Sequence, residues 1–402
     1  MTTSKERVLE ALDHKESDRL PVDFGGTSVS GIHVDAYADL LQYMNLGNLD
    51  VKLFDPMLQL AMVDQPVLDA FGADTRKLYR PAPKFGVPIY EGWMPGMTPM
   101  GKPCLVPLQY RPVEDEDGYN IISNGRAIAR RPKSSLYFDI VYNPLKGKTA
   151  IEDLRDFSLP AYSDTELRYL KEASAASRQS GDKAVVSAIG ASFREKSSDL
   201  MGFQEFMMAL ALDRKYVEYL FDLLVENYKR NFDQFKSAVG NNVDILKVTD
   251  DLGMKTGLMF SPSLYRSLFK PRQKELIAYF KKESDYKILL HCDGNITQII
   301  PDLIEIGVDA IDPVDTSAIG MDPLYLKQTF GKEITLWGGL IEPINMVSMS
   351  VAEIRDYVKK RLEIYAPGGG FVYTYTHNVQ PDVSPEKVVA FFDIVKEWNR
   401  AA

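Results

Sequence analysis

His291, Cys292 and Asp293 stand at the end of the apolar run Lys287–Leu290, and His377 ends a second run that begins at Phe371. The chain has four histidines in 402 residues, and two of them at the ends of strand-like runs make a pattern suited to a metal or acid/base site. Side chains alternate along an extended chain, so His291 and Asp293 share one side while Cys292 faces the other. Two imidazoles and a carboxylate, His291, His377 and Asp293, suit zinc, whose catalytic sites take three protein ligands and keep a position open for substrate or water. Cys292 is the alternative ligand if the loop begins one residue earlier. In the competing reading these groups only hydrogen-bond the strand-end loops.

The elements that position these residues are legible in the second half. Short apolar runs recur at Ala184–Ile189, Val243–Val248, Lys287–Leu290, Val308–Ile311, Ile334–Trp337 and Phe371–Tyr375, and helical patterns separate them, which predicts a parallel sheet. Ser261-Pro262, Asp322-Pro323 and Ser384-Pro385 read as helix caps followed by proline, and Ser350 with Glu353 as a capping box. Tyr216–Val239 carries one apolar stripe through Val217, Leu220, Phe221, Leu224, Tyr228, Phe232 and Phe235, stopped by Gly240. Leu20–Phe24 is the candidate first strand of a barrel and Tyr137–Tyr142 suggests another. Asp115–Pro132 reads as a hairpin turning at Asp117-Gly118. The expectation is an α/β fold, a (β/α)8 TIM barrel spanning 1–402 as one domain, whose residues 1–160 carry amino-terminal helices and a β-hairpin insertion.

Barrel chemistry sits where strands end. Those ends hold Arg194 and Glu195, Asp250 and Asp251, His291 to Asp293, Asp312, Trp337, and His377 with Asn378. Asp250, Tyr375 and His377 are the candidate catalytic groups. Asp251, Arg194, Glu195, Trp337 and Asn378 are candidates for substrate contact. Each has a plainer alternative: turn capping for the aspartates, a surface ion pair for Arg194 and Glu195, layer packing for Tyr375. No phosphate-binding or nucleophile-elbow motif is present.

Bulk properties narrow the partners. A net charge of -9 supplies no field for a polyanion, so nucleic acid is not expected. No run reaches the roughly 20 apolar residues of a membrane span, and two cysteines cannot build a disulfide framework. The expected setting is the cytoplasm.

In this order, Ser17 to Gly26, Asp250 to Gly253, Ser261-Pro262 with Lys270-Pro271-Arg272, His291 to Asn295, Gly307 to Pro313, Trp337 to Gly339 and Gly368 to Gln380 resemble the uroporphyrinogen decarboxylase superfamily. The resemblance is closer to its cobalamin-dependent methyltransferase branch. The decarboxylases carry an arginine-rich amino-terminal signature that holds the carboxylates of a tetrapyrrole, whereas Arg19 to Gly26 offers one arginine and an added acid. Eight carboxylates would be poorly held there. Methyltransferases of the branch bind zinc through His-x-Cys and a distal cysteine. Asp293 stands at the first of those cysteine positions and His377 at the distal one. The resemblance implies a zinc-dependent methyltransferase that moves a methyl group between a small molecule, such as a methoxylated or methylated compound, and a corrinoid carried by a partner protein. The alternative is a metal-free carboxy-lyase acting on a tetrapyrrole or smaller carboxylic acid. A third reading is a binding protein without turnover.

Overall fold

The computed structural model describes residues 2–401. A seven-stranded parallel sheet forms its centre. In chain order the strands are β1 (Thr75–Lys77), β2 (Ala184–Ala188), β3 (Ile245–Thr249), β4 (Lys287–His291), β5 (Ala310–Asp312), β6 (Thr335–Trp337) and β7 (Phe371–Val372), and each pairs with the next. The extended segment 21–24 lies between β7 and β1. Asp23 N donates to Tyr373 O at 2.9 Å, Tyr373 N to Pro21 O at 2.9 Å, and Asp74 N to Val22 O at 2.7 Å. These bonds close the sheet into the expected (β/α)8 barrel.

Inside the barrel Ala184, Val186, Ile245, Leu289, Ala310, Trp337 and Val372 pack against Val8, Ala11 and Leu12 of helix α1 (Ser4–Leu12), which plugs the end opposite the mouth. Thr3 caps α1 in a capping box with Glu6. Buried Asp74 ties the plug to the barrel, accepting from Arg7 at 2.6 Å, twice from Arg19 at 2.8 Å, and from Val22 N at 2.9 Å.

Outside the barrel, helix α2 (Arg194–Met201) follows β2. The longest helix, α3 (Arg214–Val239), buries the whole predicted stripe, and Gly240 stops it with φ 54. Each large apolar side chain so buried stabilises the fold by about 1.5–3 kcal/mol. Helix α4 (Pro385–Ala401) places Phe391 and Phe392 against Phe24, Tyr373 and Tyr375. Ser350 forms its predicted capping box with Glu353.

Two expectations change. The second early barrel strand is Thr75–Lys77; Tyr137–Tyr142 yields Asp139–Ile140, which joins an antiparallel sheet with Val113–Glu114, Gly118–Ser123 and Arg126–Pro132. The tight turn of the main hairpin falls at Asn124-Gly125, with φ 49 and 73, between the paired Ser123 and Arg126. A two-residue turn needs positive φ at both positions, which Asn-Gly supplies. Asp117-Gly118 makes the preceding, looser turn. No described helix is long and apolar enough to cross a membrane.

Candidate active site

The register sets His291 beside Thr249 on one flank and Asp312 on the other, at the carboxyl ends of β3, β4 and β5. Among the described residues, ligand atoms of Asp251, His291 and Asp293 lie within 4.8 Å of one another. His291 Nε2 is 3.3 Å from Asp251 Oδ1 and 3.8 Å from Asp293 Oδ2. Its Nδ1 is 2.8 Å from the Asp312 carbonyl oxygen. A carbonyl can only accept, so Nδ1 carries the proton and a neutral ring turns its Nε2 lone pair toward the two carboxylates.

Electrostatics favours that neutral ring. Burial, and then the Lys247 ammonium, push His291 down to about 3. Burial raises Asp293 to about 7, with Asp251 and Asp315 acting in the same direction. Three lone-pair-bearing atoms therefore converge and call for a cation or shared proton between them. The surroundings hold them in place. Asp251 Oδ1 accepts the Asp293 amide at 3.1 Å, and Arg194 donates from Nε to the Asp251 carbonyl at 2.6 Å, with its terminal nitrogen 3.3 Å from Asp251 Oδ2. Gly294 N donates to Asp315 at 3.2 Å. An imidazole fixed by a carbonyl behind it and carboxylates fixed by amides fit a divalent ion.

The parity argument for His291 and Asp293 agrees with this geometry. Cys292 faces away and is 1% exposed; its sulfur accepts from Leu252 N at 3.3 Å, and burial raises its thiol well above the usual range. His377 lies outside the close group, whose third member is Asp251, expected only as a substrate contact. His377 still faces the mouth, half-buried, where burial and then Lys247 lower its basicity while Asp251 opposes them.

The other candidates occupy different places. Asp250 turns behind the barrel, accepting the amides of Phe193 at 3.2 Å and Arg194 at 2.7 Å where α2 begins. It lines a small apolar cavity with Val248, Gln273 and Leu276. Tyr375 points outward. Val372 faces the barrel interior, whereas Tyr373 and Tyr375 pack on α4, and the Tyr375 hydroxyl donates to the Ser30 carbonyl at 3.1 Å. The chain bends after Thr376, so His377 does not share the direction of Tyr375. Trp337 is sealed in the interior, and its indole donates to Asp23 Oδ2 at 2.8 Å. Glu195 accepts from the Thr249 hydroxyl at 2.8 Å near the mouth. Asn378 is 1% exposed, with both side-chain polar atoms unpaired, and it lines a second small cavity with His377, Ile341 and Gln380. Neither cavity includes Asp251 or Asp293.

Sequence reading passed over Lys77 and Lys247. Lys247 is 3.4 Å from Asp312 and 9% exposed. A lysine inside Ile245-Leu-Lys-Val-Thr249, at the parity of interior Ile245, was the available signal.

A parallel barrel with imidazole and carboxylates at its mouth defines the class of fold and site. The family model for uroporphyrinogen decarboxylase (URO-D) matches residues 141–398, and the chain belongs to that family. Over 314 residues it is 22% identical to a uroporphyrinogen decarboxylase of Idiomarina loihiensis, covering 74% of this chain and 82% of the relative. It is 33% identical over 99 residues to one of Methylococcus capsulatus, covering 25% of this chain and 27% of that relative's length. Among solved structures, a methyltransferase from Methanosarcina mazei aligns over 99% of both chains with a TM-score of 0.62 and 18% identity, a likeness of fold.

Proposed function

We propose that the chain is a cytoplasmic methyltransferase that moves a methyl group between a small methylated or methoxylated molecule and a corrinoid protein, with zinc held by Asp251, His291 and Asp293. The observation that carries this is the placement of the His291 ring, with Nδ1 at the Asp312 carbonyl and Nε2 turned toward two carboxylates. When bound there, zinc supplies Lewis acidity to the heteroatom that gains or loses the methyl group. Arg194 and the Asp293 amide orient Asp251, and His377 is a neutral base beside the group. The fold shared with the Methanosarcina mazei methyltransferase supports the reading. So does the fate of Arg19, whose guanidinium is engaged by Asp74 and so is not free for tetrapyrrole carboxylates.

The names of the sequence relatives favour a second reading, a metal-free carboxy-lyase. Metal analysis of the purified protein, with methylation of reduced cobalamin followed by its visible spectrum, separates the two. We expect near-stoichiometric zinc, lost in Asp251→Ala and His291→Ala and kept in His377→Ala. Metal-free protein that releases carbon dioxide from its substrate would overturn the proposal.

A further inference from the structure

Beneath the imidazole of His291, alternate strands contribute one layer of the barrel: Lys77 from β1, Lys247 from β3, Asp312 from β5, and Thr374 just beyond β7. Each shares the inward parity of a residue below it. Ile245, Ala310 and Val372 belong to the interior apolar cluster, and the Thr75 hydroxyl donates to the interior Asp23. Such layers are built from four alternate strands and are ordinarily filled by branched apolar side chains. The layer below follows that rule, with Val186, Leu289 and Trp337 packed and the Trp337 indole paired to Asp23. Above it β2 ends on Ala188, a small residue at the parity of interior Val186.

The polar layer is incompletely satisfied. Both Asp312 carboxylate oxygens and the Thr374 hydroxyl are buried without a hydrogen-bond partner, and each residue is 0% exposed. The charge nearest Lys247 is Asp312 Oδ2 at 3.4 Å. Lys77 donates to the Ser28 hydroxyl at 2.8 Å and otherwise faces the rings of Phe54 at 4.7 Å and Tyr79 at 5.9 Å. Among the described residues no carboxylate oxygen comes within 4.0 Å of its ammonium; Asp55, Asp23 and Asp312 act on it from farther away. Two ammoniums thus face one closely paired carboxylate.

We propose that Lys77, Lys247 and Thr374 form the receptor for the carboxylate of a small anionic substrate, with Asp312 steadying Lys247. This rests on the methyltransferase reading and narrows its substrate class to methylated or methoxylated carboxylic acids. Two ammoniums and a hydroxyl, from three of the four strands of the layer, suit the lone pairs of a planar carboxylate. Burial, with Lys247 adding to it, pushes Lys77 down to about 7, as expected of an ammonium awaiting a counter-anion. Asp312 joins the two groups: its carboxylate is 3.4 Å from Lys247 and its carbonyl oxygen 2.8 Å from His291 Nδ1, so anchor and metal group lie in adjoining layers.

Calorimetric titration of the metal-loaded full chain with 4-methoxybenzoate, methoxyacetate and uncharged methoxybenzene tests the receptor. We expect 4-methoxybenzoate to bind at least about tenfold more tightly than methoxybenzene, and its affinity to fall about tenfold or more in Lys77→Met and in Lys247→Met. Thr374→Val, a near-isosteric change, should weaken it by a smaller factor. The wild-type comparison of acid with ether needs no variant to fold. Equal binding of acid and ether, binding of neither acid, or unchanged affinity in both lysine variants overturns the receptor. The same titration in Asp251→Ala separates the two ideas. Charge-dependent acid binding that persists without metal leaves the receptor standing even where methyl transfer fails.

Discussion

Replacing Asp250 by asparagine should reverse the order of stability between variant and wild type as pH rises. The carboxylate is 1% exposed and accepts two amides at the start of α2. Burial, and then Glu195, raise it from 3.8 to about 7 despite Arg194 and those amides. For an acid with a raised folded pKa, the native state is burdened by ionisation. The burden is absent below the unfolded value, grows between the two, and is complete above the folded value. A rise of this size, at about 1.4 kcal/mol per unit, burdens the folded chain by about 4 kcal/mol in alkaline solution. Asparagine keeps one acceptor for the Arg194 amide and turns a donor toward the Phe193 amide, a loss of about 1–3 kcal/mol at every pH. Between about pH 4.5 and about pH 8 the wild type therefore loses about 3 kcal/mol that the variant keeps. Near the lower end the variant is the weaker chain, and near the upper end it matches or exceeds the wild type. Asp293, also raised to about 7, is present in both chains and cancels in the difference. Urea unfolding of metal-free protein at several pH values gives the two curves. A gap that stays constant across this range, or a variant that falls further behind as pH rises, refutes the reasoning.

Two further outcomes probe the supports of the site. A Cβ on Gly253 would sit 2.5 Å from the Asp293 carbonyl oxygen and 2.9 Å from the Gly294 carbonyl carbon, both backbone atoms, so Gly253→Ala must displace the loop that carries Asp293. We expect a folded protein weaker by about 1–3 kcal/mol with reduced zinc content by elemental analysis, and full metal retention would contradict the proposed ligand set. Asp74→Asn leaves Arg7 and Arg19 beside a neutral group in place of their buried counterion. Unfolding in urea should show a loss of about 3–5 kcal/mol, and a loss below about 1 kcal/mol, the size of an exposed pair, would mean that the plug is held by apolar contact alone.

The barrel was readable where its strands were long enough to show a run. Six apolar segments between capped helices led to six of the seven sheet strands, because β-type runs and helix-start residues carry their signals locally. Thr75–Lys77 escaped notice for a physical reason: it is three residues long, two of them are charged, and Arg76 and Lys77 owe their strand conformation to pairing with Val185 and Val186 more than a hundred residues away. The segment through Val22 is held in the same way by Tyr373 and Asp74, contacts that no local window contains. The hairpin was placed correctly, and its tight turn was misassigned because two Asx-Gly pairs, Asp117-Gly118 and Asn124-Gly125, compete within nine residues.

At the mouth, alternation was enough to unite His291 with Asp293, since both belong to one strand end whose direction a single parity fixes. It was insufficient for residues on different strands. Tyr375 and His377 are two apart, yet the chain bends at Thr376 and His377, and across a bend sequence spacing no longer measures direction. Asp250 and Asp251 show the limit most sharply. Neighbouring carboxylates at one strand end are interchangeable to a reader of sequence, but pleating sends Asp250 outward to the amides of α2 and leaves Asp251 beside His291. The same alternation, applied to Ile245, Lys247 and Thr249, turns a lysine into the barrel under the imidazole. A buried ammonium there tends to keep His291 neutral, and a neutral ring is what a metal ligand must be. The polar layer and the metal group are therefore coupled through charge: the ammonium repels a doubly charged zinc ion more strongly than a proton, so Lys247→Met should tighten zinc binding even though His291 takes a proton more readily, an effect that zinc titration across pH would detect.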